Sequence, residues 1–210
     1  MARKLQYYEN VALNPAETRD KIDPKVLFGR KGKVYIEIGS GKGTFLIRQA
    51  RLQPETDFIG VEWANKYYRH SVDRTGRWNL NNVRIIRTEA AKFIRDHLSA
   101  ESIDCFHIYF PDPWPKKKHH KRRFIKPENL LFMTRALKLN GTIRIATDHR
   151  GYFDHICQST AACSRFLKET DFVPAAGTEE GELVGTNFER KYIREGRDIY
   201  KIAVRKFHQQ

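Results

Sequence analysis

Apolar and polar positions along this chain follow two periods, and the periods alternate. Val34–Ile38 is a short apolar run of β-formers, followed by Gly39-Ser40-Gly41-Lys42-Gly43 and a helical pattern to about Leu52. The same succession recurs: Asp57–Val61 then Ala64–Trp78, and Val83–Arg87 then Ala90–His97. It continues with Ile103–Phe110 then Pro127–Leu137, and Thr142–Thr147 then Gly151–Cys163. Pro127 suits a first helical turn, where a missing N–H matters least. Asp198–Lys206 alternates as a last strand, paired with another late strand around Phe172. Repeated βα units predict an α/β fold, a mostly parallel sheet with helices on both faces and right-handed crossovers. Residues 1–30, polar with Pro15 and Pro24, read as a partly ordered N-terminal tail, and 31–210 as a single domain. Gly177–Gly185 is acidic and glycine-rich and reads as a flexible loop.

Charge narrows the class. Thirty-nine Lys and Arg against 25 Asp and Glu give +14 over 210 residues. The cations are clustered, which favours a polyanionic partner, nucleic acid first. A membrane surface suits the chain less, since it shows no long amphipathic basic helix. No apolar run reaches the length of a membrane span, and Met1–Gln6 has no apolar stretch behind it that would make a secretory signal. Cys105, Cys157 and Cys163 are odd in number and form no CxxC, so neither a disulfide framework nor a zinc site is expected. A reducing, cytoplasmic setting fits.

The most informative stretch is 110–123, Phe-Pro-Asp-Pro-Trp-Pro-Lys-Lys-Lys-His-His-Lys-Arg-Arg. Pro111 and Pro113 place Asp112 and Trp114 on a stiff loop that cannot continue the preceding strand. Lys116, Lys117, Lys118, Lys121, Arg122 and Arg123 follow within eight residues. A rigid acid and an aromatic beside dense cations suit a site that holds a nucleobase while its neighbours hold phosphates. Trp114 either packs beneath the loop or stacks on RNA. His119 and His120 lack partners at metal spacing, so they are read as RNA contacts and no metal is expected.

The glycine segment 39–43 lets the chain turn sharply and approach a ligand. It lacks the spacing of a P-loop and the third glycine of a dinucleotide fingerprint. Its Glu-x-Gly-x-Gly-x-Gly form, from Glu37, resembles the first motif of Rossmann-like, S-adenosylmethionine-dependent methyltransferases. Glu62, about 20 residues on at a strand end, is placed to accept from ribose hydroxyls. Glu37 either meets a cofactor ammonium or ordered water, or holds the loop. Glu89, after the third strand, either accepts from adenine or stabilises a helix N-terminus.

Pro-Asp-Pro-Trp-Pro-Lys with His-His-Lys-Arg-Arg, then Ala146-Thr147-Asp148, then Thr186-Asn187-Phe188-Glu189 resemble the bacterial tRNA (guanine-N7-)-methyltransferase family, from about Val34 to the C-terminus. The resemblance implies a seven-stranded Rossmann-like methyltransferase sheet, S-adenosylmethionine as cofactor and tRNA as partner. It implies methyl transfer to N7 of guanine at variable-loop position 46. Carried over by position, Glu37, Gly39, Gly41, Glu62, Glu89 and Asp112 are the cofactor contacts, with Asp112 also catalytic. The implied tRNA contacts are Lys116, Lys118, His119, His120, Lys121, Arg122, Arg123, Asp148, Thr186, Asn187, Phe188 and Glu189. One departure is Glu89, where the family usually has Asp. No obligate protein partner is evident.

Alternatives stand beside several of these. Asp148 has the N-cap of the following helix as its alternative, Thr186 and Glu189 read as a lid or an ordinary loop, and Phe188 as a base stack or an anchor. Two rival functions are an amino-group methyltransferase, whose Asn/Asp-Pro-Pro-aromatic motif is a looser match, and a non-catalytic RNA binder. The intact glycines and Glu62 weigh against the latter.

Overall fold

The computed structural model describes residues 3–14 and 21–207. Part of the segment read as a tail, 15–20 with Pro15, therefore lies outside the described residues. The chain forms two compact units, Met1–Ser99 and Ala100–Gln210.

The first unit holds four parallel strands in the order β1-β4-β3-β2: β1 Ala12–Leu13, β2 Lys33–Ile38, β3 Thr56–Val61 and β4 Val83–Ile86. Its helices are α1 Pro24–Phe28, α2 Thr44–Leu52, α3 Asn65–Arg77 and α4 Ala90–His97. β1 and α1 lie within residues 1–30. Ile38 pairs with Val61 and Val61 with Ile86, so the last residues of β2, β3 and β4 are level. The glycine segment, Glu62 and the approach to Glu89 consequently leave the sheet along one edge. The core is built from residues one helical turn apart, Leu46 and Ala50 on α2 and Tyr68 and Val72 on α3, packed with Val11, Phe58, Val83 and Ile85.

The second unit contains β5 Ile103–Tyr109, α5 Pro127–Ala136, β6 Leu137–Thr147, α6 Arg150–Ala161, β7 Leu167–Thr170, α7 Asn187–Arg194 and β8 Tyr200–Lys206, with a 3-10 helix at Lys117–Arg122. Its strand order is β5-β6-β8-β7; β5 and β6 are parallel, while β8 runs antiparallel to both neighbours. Tyr109 pairs with Ala146 and Thr147 with Tyr200. The residues just after β5, just after β6 and just before β8 therefore share one edge.

Three local readings need correction. The late strand pairing with β8 is Leu167–Thr170, ahead of Phe172. β6 starts at Leu137 and not Thr142, because α5 passes directly into extended backbone at Leu137. Thr186 and Glu189, read as a lid or an ordinary loop, belong to the start of helix α7, Asn187–Arg194. Thr186 caps it by accepting from the Glu189 N–H at 3.1 Å.

Candidate active site

In the first unit the glycine segment is shaped by the strand end beside it. Gly39 and Ser40 donate to the Val61 carbonyl at 2.8 and 3.2 Å. Glu62 accepts from the Gly41 N–H at 2.8 Å through Oε2 and from the Ala64 N–H at 2.7 Å through Oε1. One carboxylate thus ties the loop to the start of α3 while each oxygen keeps a further lone pair. Gly39 has φ 73°, a left-handed conformation, and a Cβ added there would meet nothing within 4 Å, so open space lies beside it. Gly43, φ 71°, has no such room: a Cβ would lie 2.5 Å from the Ser71 hydroxyl.

Glu37 is buried near the end of β2, and its Oε2 has no hydrogen-bond partner among the described residues. Burial, followed by the nearby Glu62 charge, pushes its carboxyl well above the usual range. A buried acid with a free oxygen beside a second acid is a receptor for a cation, and an amino-acid ammonium answers that need. Together with the open, glycine-lined turn, these residues fit a cofactor carrying an ammonium and ribose hydroxyls. Glu89 is exposed and caps α4, accepting from Ala91 and Lys92 N–H at 3.0 and 2.9 Å. The helix-terminus role read from the sequence is formed.

In the second unit Asp112 is exposed and makes no hydrogen bond or ion pair among the described residues. Its loop is bounded by Phe110 and Trp114, both left-handed at φ 53° and 44°. Bulky residues adopt this region only under constraint, and such strain concentrates at functional sites. Arg123 supplies the constraint: it is 5% exposed, donates to the Pro113 carbonyl at 2.9 Å and lies 5.0 Å from the Tyr152 ring. Trp114 packs within the loop, edge-on to His119 at 5.8 Å and beneath Arg122 at 4.9 Å. His120 approaches the Pro115 carbonyl at 3.4 Å. Lys116, Lys118 and Lys121 project as exposed cations.

Around this loop the register gathers the other candidates. Asp148 accepts from Arg197 at 2.8 Å and does not cap α6; His149 takes that role, accepting from the Tyr152 N–H at 3.1 Å. Arg197 also stacks on Tyr192 at 4.7 Å. Tyr192 meets Phe110 edge-on at 5.4 Å and stacks with Phe188 at 6.2 Å, leaving Phe188 56% exposed. Asn187 opens α7 on its exposed side. Glu189 points inward. It is fully buried and accepts from the Leu183 N–H at 2.6 Å, from Val184 at 3.0 Å and from Gly185. Arg197 and Tyr192 were missed from the sequence, since what ties them to the site, Asp148 for Arg197 and Phe110 for Tyr192, lies far away along the chain.

This βα succession, with a glycine turn and an acid closing the next strand, is that of a Rossmann-like class I methyltransferase. Solved structures agree. The chain matches an S-adenosylmethionine-dependent methyltransferase from Aquifex aeolicus with a TM-score of 0.55 at 12% identity, covering 91% of this chain and 92% of that one. It matches the aminoglycoside resistance methyltransferase NpmB1 with a TM-score of 0.56 at 18% identity, covering 83% and 87%. Residues 31–202 match the family model described as "Putative methyltransferase", and the chain belongs to this family. Curated relatives include the tRNA (guanine-N(7)-)-methyltransferases of Halorhodospira halophila, 34% identical over 89% of this chain and 80% of that protein, and of Alkalilimnicola ehrlichii, 33% identical over 85% and 75%.

Proposed function

We propose that the protein methylates tRNA at N7 of the guanine in variable-loop position 46, with S-adenosylmethionine as its cofactor. The observation that carries this reading is Asp112: a free, exposed carboxylate on a braced loop beside exposed lysines, in a chain of this family. When bound, the cofactor supplies an electrophilic methyl on a sulfonium. Guanine N7 presents an in-plane lone pair, so no general base is needed. The chain's task is alignment and exclusion of water, and alignment alone removes roughly 7–11 kcal/mol of barrier in the best intramolecular cases.

Glu37 receives the cofactor's ammonium, Glu62 the ribose hydroxyls through its remaining lone pairs, and Gly39 and Gly41 allow the close backbone approach. Glu89 borders the adenine while capping α4. Asp112 orients the guanine by accepting from its N–H edge and offsets the positive charge that develops on the purine. Lys116, Lys118, Lys121 and Arg122, with His119 and His120, engage the RNA backbone. Phe188 and Asn187 offer the exposed side of α7 to the substrate. Asp148, Arg123, Thr186 and Glu189 serve the substrate by shaping the elements on which those contacts sit. A tRNA substrate and unpaired cysteines go with a cytoplasmic location.

The test is methyl transfer to tRNA transcripts carrying guanine or adenine at position 46, with products mapped by cleavage at N7-methylguanosine. Transfer to the guanine transcript alone, abolished in Asp112→Ala with tRNA affinity retained, is expected. Equal transfer to both transcripts, or full turnover by Asp112→Ala, would overturn the assignment.

A further inference from the structure

With φ positive at Gly39, Gly41 and Gly43, the 39–43 turn has little stiffness of its own. Inside the turn the Gly43 N–H donates to the Ser40 carbonyl at 2.8 Å, and the remaining hold on its shape comes from outside. The first half is held from β3, by the Val61 carbonyl and the Glu62 carboxylate. The second half is held from α3. Arg74 Nη1 donates to the Lys42 carbonyl at 2.8 Å and to Thr44 Oγ1 at 3.0 Å, so one nitrogen spends two hydrogens on the two residues flanking Gly43. Gly43 itself is seated on Ser71, one turn earlier on the same helix. No side chain caps α2 at Gly43, and Arg74, a donor only, leaves the free N–H groups of that helix start open; what it does is tie the Lys42 carbonyl and the Thr44 hydroxyl to α3. α3 is in turn tied to the N-terminal segment: Asp73, 1% exposed, accepts from Arg3 and from the Gln6 N–H, and from Arg77 one turn on in the same helix.

We propose that Arg74 is a positioning residue for the cofactor, acting through the Lys42 carbonyl and Thr44 hydroxyl to hold the glycine turn in its ligand-accepting shape. The inference rests on the reading that this turn binds S-adenosylmethionine. Arg74 is not a contact of the reacting atoms, so its loss weakens cofactor binding without touching methyl transfer from a saturated site.

Calorimetric titration of the full chain with S-adenosylhomocysteine tests this, alongside kinetics with tRNA. Arg74→Met should weaken binding roughly tenfold, the worth of a lost charge-assisted bridge. KM for the methyl donor should rise in proportion, with kcat and tRNA affinity unchanged. Arg74→Lys, which keeps a cationic donor, should recover most of the loss. Thr44→Val, which removes one of the two acceptors, should weaken binding about threefold. Wild-type affinity in Arg74→Met would overturn the proposal. So would a parallel fall in cofactor affinity, tRNA affinity and Tm, which marks a merely structural residue. If Arg74→Met does not fold, Thr44→Val decides, and unchanged affinity there refutes the idea. Failure of the wild-type protein to bind S-adenosylhomocysteine would instead remove the functional reading, and this inference with it.

Discussion

Glu189→Gln separates scaffold from substrate contact most sharply. The carboxylate is fully buried and takes three backbone N–H groups: Leu183 on Oε1, and Val184 and Gly185 on Oε2. A glutamine keeps the shape but offers one acceptor oxygen and, in place of the other, an NH2 with two donors. With its oxygen in the Oε2 place, the amide faces the Leu183 N–H, one charge-assisted bond is lost and a buried donor is stranded. Turned the other way, it loses two. The smaller loss is about 1.5–3 kcal/mol for the bond plus about 1–3 kcal/mol for the stranded N–H. That is a large share of a typical total stability of about 5–15 kcal/mol. The affected bonds lie in one loop beside the largely exposed α7, so the cost should appear as local opening. A loss near 3 kcal/mol raises the open population at least about 100-fold. Native-state hydrogen exchange reads this directly. Protection at Leu183, Val184 and Gly185 should fall by that factor while amides of β5 and β6 keep theirs, and activity should drop through a raised KM for tRNA. Unchanged protection with lost turnover would refute the reasoning and make Glu189 a direct substrate contact.

Other expectations follow from the same geometry. Burial raises the Glu37 pKa above its ordinary 4.5, so the folded protein holds a proton that the unfolded chain releases. Its contribution to stability is present below pH 4.5 and is lost as pH rises through the raised value. Glu37→Gln should therefore be more stable than wild type in urea at pH 8, with the difference shrinking at pH 4; a less stable variant at pH 8 would contradict this. Asp73→Asn keeps one acceptor for Arg3 and Gln6 but loses the one for Arg77. It should cost about 2 kcal/mol and expose residues 3–13 to limited proteolysis, whereas an unchanged cleavage pattern would show that this segment is held elsewhere. Neutralising Lys118, Lys121 and Arg122 together should weaken tRNA binding and reduce its salt slope by about 2–3. Arg123→Gln should instead lower Tm and turnover with the slope kept, and a slope change as large as one full contact would return Arg123 to the RNA-binding set.

Legibility in the sequence followed the range of each interaction. The parallel strands, the glycine turn and Glu62 were readable because each depends on residues close together: an apolar run, a turn, an acid ending the next strand. The stiffness of the Asp112 loop was readable from Pro111 and Pro113, but its brace was not, since Arg123 reaches back ten residues to Pro113. Arg123 was grouped with the RNA-binding cations because charge alone does not say whether a guanidinium faces solvent. Arg197 with Asp148, 49 residues apart, and Arg74 with Lys42, 32 apart, had no local signature at all. For Thr186 and Glu189 a signal did exist. Thr-x-x-Glu is a capping-box spacing, which marks the start of a helix rather than a lid. The acid departs from that motif by turning to three earlier amides, a choice that only the folded loop reveals.

The acids then sort by how many lone pairs the protein has already claimed. Glu189 has given its oxygens to three amides, and Asp148 has given one to Arg197. Glu89 and Glu62 each hold one N–H per oxygen and can take one more. Glu37 keeps a whole oxygen free but sits in the dark, where only a cation can pay for its ionisation. Asp112 alone among the six combines exposure with both oxygens free of hydrogen bonds and ion pairs among the described residues. In the proposed function this is the acid that meets the base and releases it, and such a group cannot be committed to the scaffold. Rigidity has to come from the backbone beneath it, and the two prolines, the two left-handed aromatics and the Arg123 brace supply it. The same accounting favours Asp112 over Asp148 for the chemistry in the proposed function. Freeing Asp148 would first require breaking its bond to Arg197, whereas Asp112 is ready as it stands.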